Sequence, residues 1–143
     1  MRLSTKLLAA AALTMALACG NLDREQGVCL PNQMDKTSWG YLEQHKLLGP
    51  DEKLLAYYDD TLSLDGTDLS VVTNQRVLTF NNGNTTAIPL AEVESISKVD
   101  VPMAFGIQVL GKDGTRMQIE IAMANGGETF DSVLRDAVQR AGK

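Results

Sequence analysis

The sequence predicts a mainly β domain of the α+β class: a seven-stranded antiparallel barrel or sandwich, capped by one C-terminal helix and preceded by a short N-terminal helix. Between residues 65 and 96, short runs rich in Val, Ile, Thr and Phe alternate with turns rich in Asn, Asp and Gly. Strands joined by two to four turn residues pair only as antiparallel neighbours, because a parallel crossover needs about a dozen. A final stretch from residue 125 carries apolar residues at helical spacing.

The first 18 residues are predicted to be an export signal. Arg2 and Lys6 precede an apolar run over residues 7–17, which is shorter than the roughly 20 residues that a membrane-spanning helix needs. Ala16-Leu17-Ala18 then supplies the small-x-small pattern of a cleavage site. The fold is therefore expected to begin after this segment.

Cys19 directly follows the predicted cleavage site. A cysteine at this position resembles the lipobox of bacterial lipoproteins, and the resemblance implies that Cys19 is lipidated and holds the protein on a membrane of the cell envelope. Two or more acyl chains are enough for stable anchoring. The alternative is ordinary cleavage after Ala18, which would give a soluble secreted or periplasmic protein.

The two cysteines have different roles in these two cases. If Cys19 is lipidated, Cys29 is the remaining cysteine in an oxidising compartment, as a free thiol or in an intermolecular bridge. If Cys19 is not lipidated, a Cys19–Cys29 disulfide would close a small N-terminal loop. Neither cysteine is accompanied by a CxxC motif or a histidine, so no catalytic thiol is predicted.

The charge balance of the chain is acidic, with a net charge of −5. Without Arg2 and Lys6 the chain keeps 11 basic residues against 18 acidic ones, so its net charge becomes −7. Nucleic acids and anionic lipid surfaces attract clusters of Lys and Arg. The composition therefore argues against nucleic acid and phosphoinositide as partners.

The first predicted hairpin is acidic, with carboxylates at Asp59, Asp60, Asp65 and Asp68. A calcium-binding loop needs oxygen ligands at alternate positions, and leucines at 62 and 64 interrupt that spacing. We interpret these aspartates as a solvated rim and predict no metal or other cofactor. The alternative functions are a small envelope enzyme or metal-binding protein that uses the rim, or a structural lipoprotein with no separate ligand.

The elements before the hairpins are predicted in order. Residues 19–36 are expected to be a flexible tether, since they are polar, contain Gly and Pro, and lack periodicity. A short helix is predicted over residues 37–48, with Ser38 as its cap. A long first strand is expected over residues 53–64, with a bulge at Asp59-Asp60. The next strands are predicted at residues 69–73, 77–80, 85–89 and 93–96.

The last hairpin and the helix follow. Strands are predicted at residues 105–110 and 115–121, and alternate residues of each face one way. Asn125 is expected to cap the helix, with Glu128 at the capping-box spacing. The helix is expected to bury an apolar stripe against the sheets. This stripe consists of Phe130, Val133, Leu134, Ala137, Val138 and Ala141.

Three sequence segments resemble the bacterial pleckstrin-homology (PH) domain family. Residues 52–55 (EKLL) resemble its opening, residues 69–78 (LSVVTNQRVL) resemble its central signature, and residues 87–96 (AIPLAEVESI) resemble its following strand. The resemblance implies a PH-like domain over residues 37–143. It implies a fold and a binding module, and no particular ligand.

Three polar or aromatic features receive structural interpretations. Thr73-Asn74-x-Arg76 is interpreted as a capped turn whose Thr and Asn side chains bond their own backbone. His45 is the single histidine, so it cannot form a histidine-based triad or zinc site within one chain, and it is expected to be exposed. Trp39 and Tyr41 are expected to be packing residues. No enzymatic activity is predicted.

The predicted partner is an envelope protein or peptide that adds a strand to the domain. In PH-like folds a groove lies between the fifth strand and the C-terminal helix, and backbone hydrogen bonds there give affinity without specialised side chains. We expect residues 93–99 to form this edge and Ser97 to supply one edge N–H. In the alternative, Glu94, Lys98 and the turn at Asp100-x-Pro102 only guard the edge. The groove is assigned to Val93, Ser95, Ser97, Val99, Phe130 and Leu134.

Overall fold

The computed structural model describes residues 27–143, so the predicted export signal and Cys19 lie outside the described residues. The described residues contain two α-helices, α1 at Lys36–Gln44 and α2 at Gly127–Ala141, with 3-10 turns at Pro31–Gln33 and Leu90–Glu92. The strands are β1 (Leu54–Asp59), β2 (Asp68–Thr73), β3 (Arg76–Asn81), β4 (Asn84–Pro89), β5 (Val93–Val101), β6 (Ala104–Gly111) and β7 (Arg116–Ala122).

The seven strands form two antiparallel sheets, and this confirms the predicted fold class. The first sheet has the order β1-β2-β3-β4 and the second has the order β5-β6-β7. The sheets are not hydrogen-bonded to each other into a closed barrel, so the sandwich form of the prediction is the correct one. The chain runs as an up-and-down meander, with connections of two to four residues at four hairpins and a longer loop, residues 60–67, between β1 and β2.

Three hairpins have two-residue turns, at Asn74-Gln75, Asn82-Gly83 and Pro102-Met103. Asn82 and Gly83 have φ values of 45° and 90°, the left-handed pair that a type I′ turn requires, and this turn fixes the β3–β4 register. Pro102 and Met103 join β5 to β6, with Val101 opposite Ala104 and Met103 at φ 58°. A side chain rarely adopts that φ, so Met103 is a strained and exposed residue at the hairpin tip.

The larger hydrophobic core lies between the two sheets and under α2. The predicted inward faces of the last hairpin are confirmed, since alternate residues of β6 and β7 from Ile107 to Ile121 are buried in this core. Phe130 and Leu134 of α2 are 0% exposed in the same core. Ala141, the last residue of the predicted stripe, is exposed because the helix extends past the sheets at its end.

A second, smaller core covers the outer face of the four-stranded sheet. It joins α1 and the N-terminal segment to β2 and β3. Cys29 is 4% exposed and pairs with Tyr57 of β1 through two backbone hydrogen bonds of 2.8 and 2.9 Å. From Val28 onward the segment predicted as a tether is therefore part of the fold, because burial of Cys29 and this pairing fix it against the sheet.

The helix starts differ from the predictions. Asp35, not Ser38, caps α1: its carboxylate accepts the Ser38 N–H at 2.6 Å. α1 ends at Gln44, four residues early, because Lys46 adopts a left-handed φ of 53°.

Gly126, not Asn125, is the N-cap residue of α2 and has no side chain to form a capping box. Gly127 then lies against the Phe105 ring, where a Cβ would come within 2.5 Å.

The first strand is shorter than predicted. β1 ends at Asp59, and residues 60–67 form a loop, so the predicted bulge at Asp59-Asp60 does not exist. The register shift in β1 lies instead between Leu54 and Ala56. Within residues 27–143, no helix is both long and apolar enough to cross a membrane.

Candidate functional site

The predicted docking strand β5 lies at the edge of the three-stranded sheet. Its partner β6 covers one side of it, and no third strand pairs with the other side in residues 27–143. Ser95, Ser97, Lys98 and Asp100 are exposed. An edge strand of nine residues is long for an unprotected edge, and such edges are templates for a further strand.

The hydrogen bonds of the sheet determine which β5 groups face outward. Gly111 N–H donates to Thr115 O and Met123 N–H donates to Met103 O, so the odd-numbered residues of β6 face β7. The even-numbered residues of β6 therefore face β5, and the register places them opposite Ser95, Ser97, Val99 and Val101.

The outward-facing backbone groups of β5 consequently belong to Ile96, Lys98 and Asp100. The expectation that Ser97 supplies an edge donor is wrong, because its N–H points into the ladder with β6. The two-residue turn at Pro102-Met103 contains the signal that would have shown this. The pair that closes such a turn, here Val101 and Ala104, is hydrogen-bonded. Every second residue before Val101 also turns its backbone groups toward β6, and Ser97 is one of these residues.

The side chains of the predicted groove are not brought together. Val93 is 9% exposed, and Phe130 and Leu134 are 0% exposed, so all three are core residues that offer no surface to a peptide. Ser95, Ser97 and Val99 lie on the opposite face of β5 from Ile96, which packs against the core. The groove prediction was wrong for the helix residues because an apolar stripe of α2 is needed to close the sandwich.

A shallow cleft of about 510 Å³ lies beside the second half of β5, between residues 98 and 106. Lys98 Nζ lies over the Phe105 ring at 5.0 Å, a cation–π contact at the cleft wall. Met103 and Met123 are 87% and 65% exposed at the hairpin tip. Methionine side chains adapt to varied partners, so this end of β5 offers flexible apolar contacts. Sequence reasoning missed Phe105 and both methionines.

Thr73 bonds the backbone of its own turn, as predicted, and the turn also connects residues 52–55 with residues 69–78. Thr73 Oγ1 accepts the N–H groups of Gln75 and Arg76 at 3.1 and 3.0 Å, and it donates to Glu52 Oε2 at 2.8 Å. Arg76 binds both Glu52 carboxylate oxygens, at 3.1 and 3.0 Å. Residues 52–55 and 69–78 are therefore joined by one partly buried clasp, formed by Glu52, Thr73 and Arg76.

Asn74, in the same turn, bonds the residue that precedes β1. Asn74 Oδ1 accepts the Lys53 N–H at 2.8 Å, so Asn74 does not bond its own backbone as predicted. Burial by itself raises the pKa of Glu52, but hydrogen bonds from Arg76, Thr73 and the Gly49 backbone bring that pKa below its ordinary value. The turn thus holds a carboxylate in its charged form.

The four aspartates of the first hairpin do not form one solvated rim. Asp59 is 6% exposed and accepts hydrogen bonds from Thr61 and from the Gly66 N–H, so it braces the β1–β2 loop. Hydrogen bonds from Thr67 and Ser63 lower the pKa of Asp65 to about 2. In residues 27–143 no three His, Cys, Asp or Glu side chains are grouped as ligands for one metal ion.

The aromatic residues of α1 behave differently from one another. Tyr41 packs over Gly66, where a Cβ would lie 2.3 Å from the ring, and this confirms its packing role. Trp39 is 38% exposed beside a cleft of about 440 Å³ at α1, so the packing prediction is wrong for it. His45 is stacked on Phe80 with ring centroids 4.2 Å apart, so it is not simply exposed.

Comparisons with protein-family models, with curated proteins and with solved structures found no match to this chain.

Proposed function

We propose that this protein is an exported, lipid-anchored protein of the bacterial cell envelope whose PH-like domain binds an extended peptide segment. The observation that carries the proposal is the open edge of β5, with the backbone groups of Ile96, Lys98 and Asp100 facing outward. Backbone groups of an extended peptide pair with such an edge, and this mode needs no catalytic or metal-binding side chains. The cleft at Lys98 and Phe105 supports it by offering side-chain contacts beside the edge.

The Lys98→Pro variant tests the edge. Proline removes one outward N–H and is tolerated at an edge position, so the variant is expected to fold and to lose peptide affinity at least about tenfold. A linear peptide would be selected from a displayed library on the purified protein, and its affinity would be measured by calorimetry. Lys98→Ala is the matched control, because it removes the same side chain and keeps the N–H.

The comparison separates the backbone from the side chain. Equal loss in Lys98→Pro and Lys98→Ala would mean that the ammonium group, not the edge, carries the binding. Unchanged affinity in both variants would exclude β5 as the site. Amide shifts of Ile96, Lys98 and Asp100 on peptide addition provide a second measurement, since these three amides face the added strand.

The anchor is tested at Cys19, which lies outside the described residues. Cys19→Ala is expected to move the protein from the membrane fraction to the soluble fraction or to block its processing, because the acyl chains supply the membrane affinity. Intact-mass measurement of the native protein checks the modification directly. A mature N-terminus with an unmodified Cys19 would favour the soluble secreted form.

A further inference from the structure

A polar cleft of about 260 Å³ lies where the inner face of the four-stranded sheet meets the free edge of β7. The four-stranded sheet contributes Asp68, Ser70 and Thr79, the loop after β1 contributes Asp60, and β7 contributes Ile119 and Glu120. β7 is at the other edge of the three-stranded sheet from β5. The cleft is therefore separate from the proposed peptide-binding edge.

Ser70 is the polar group at the base of this cleft. It is 7% exposed, and the β2–β3 register places it opposite Thr79 on the inner face, two residues from Asp68. Within residues 27–143 its hydroxyl has no hydrogen-bond partner. The hydroxyl is open to the cleft, since Tyr57 Oη is the one fully buried side-chain oxygen or nitrogen without a partner in residues 27–143. A hydroxyl left available in a cleft is suited to contact a ligand.

The edge of β7 adds backbone acceptors to the cleft. Ala122 N–H donates to the Tyr58 hydroxyl at 3.1 Å, so the backbone groups of Ala122 face the four-stranded sheet. The alternation of an antiparallel strand then turns the backbone groups of Gln118 and Glu120 in the same direction. Gln118 and Glu120 line the cleft, and their carbonyl oxygens point to this side of β7.

The cleft is negatively charged, and neutral groups make the hydrogen bonds to its carboxylates. Asn81 donates to Asp68 at 2.8 Å, and Tyr58 donates to Asp60 at 3.2 Å. No lysine or arginine lines it. Partial burial raises the pKa of Asp60, and the negative charges of Asp68 and Glu120 raise it further, against the hydrogen bond from Tyr58. A cation in the cleft would relieve this repulsion.

The donors and the volume select the kind of cation. The carboxylates are not grouped as ligands for one metal ion in residues 27–143. A volume of about 260 Å³ accommodates a small organic group. An ammonium group has three N–H donors, which match a carboxylate, a hydroxyl and a backbone carbonyl. We propose that this cleft binds a primary alkylammonium ion, such as a linear aliphatic diamine.

The test is a titration of the native processed protein with 1,4-diaminobutane at constant ionic strength. Binding is measured by calorimetry and by the chemical shifts of the backbone amides. Saturable binding with shifts at Ser70 and Glu120 is expected. Asp60→Asn and Ser70→Ala are each expected to weaken it about tenfold, because the first removes a negative charge beside the ammonium and the second removes a hydrogen bond to it. Glu94→Gln is the matched control: it makes the same charge change at an exposed site on β5 and should leave affinity unchanged.

Other outcomes overturn the proposal. Equal weakening by Glu94→Gln would mean that the diamine responds only to net charge. Absence of saturable binding would exclude the site, as would calcium or magnesium chloride producing the same shifts and displacing the diamine. A thermal melt of each variant establishes whether it is folded. If Asp60→Asn is unfolded, the binding of the diamine is tested with Ser70→Ala alone. The Lys98→Pro variant should bind the diamine normally, which separates this cleft from the peptide edge.

Discussion

Replacing Phe130 by alanine is expected to lower the free energy of unfolding by about 3–5 kcal/mol. Phe130 is 0% exposed and packs from α2 into the core between the two sheets. The change removes the buried ring and leaves a cavity that the rigid strands on either side cannot fill. Chemical denaturation with fluorescence or circular dichroism detection would measure the loss.

The same variant decides between a core residue and a groove residue. Gln139→Ala, on the exposed side of α2, is the matched control and should change the free energy of unfolding by less than about 0.5 kcal/mol. If Phe130 lined an open peptide groove, as the sequence predicted, its loss would affect affinity more than stability. A destabilisation below about 1 kcal/mol would contradict the packing described here.

Replacing Arg76 by methionine is expected to lower the free energy of unfolding by about 3 kcal/mol at neutral pH. Glu52 has a side chain that is 8% exposed, and without Arg76 its negative charge would be left almost buried without a cation. Arg76 also donates to the Leu47 carbonyl at 2.9 Å, so the α1–β1 connection loosens as well. Equilibrium denaturation of both proteins would measure the difference.

The double variant Glu52→Gln/Arg76→Met is the control for the clasp. It removes the unpaired negative charge of Glu52, so it is expected to be more stable than Arg76→Met alone. The wild type, the two single variants and the double variant form a double-mutant cycle. Additive effects would contradict a direct interaction between the two side chains.

The clasp should also depend on pH. The pKa of Glu52 is lower in the folded protein than its ordinary value of 4.5. The stabilisation is therefore complete above that value and is lost as the pH falls through the folded pKa. The difference between wild type and Arg76→Met should shrink as the pH decreases from 7 toward 3. A difference that stays constant over this range would contradict the clasp.

The strands were predictable because their signals are local. Turn residues such as Asn82-Gly83 separate short runs of β-forming residues, and two-residue periodicity assigned the inner faces of β6 and β7 correctly. Helix caps were less predictable. Asn125 and Ser38 are each suitable cap residues, but Gly126 and Asp35 have the required positions, which depend on how each helix packs.

The candidate sites required information that no local pattern contains. Ser70 lies within a strand that reads as ordinary β sequence, and its exposure to a polar cleft depends on where β7 crosses β2 and β3. Glu52 and Arg76 are 24 residues apart, and only the β1–β2 pairing brings them together. The N-terminal segment read as a tether because its polar composition does not reveal that Cys29 pairs with Tyr57.

The sequence by itself determined the order of strands, the antiparallel meander and the final amphipathic helix, because turn chemistry and periodicity act between near neighbours. Only the tertiary structure decided which residues of β5 face outward, that Phe130 and Leu134 close the core, and that the carboxylates Asp60, Asp68 and Glu120 share a cleft. These features depend on contacts between residues distant in the chain. Such contacts are fixed by sheet register and packing.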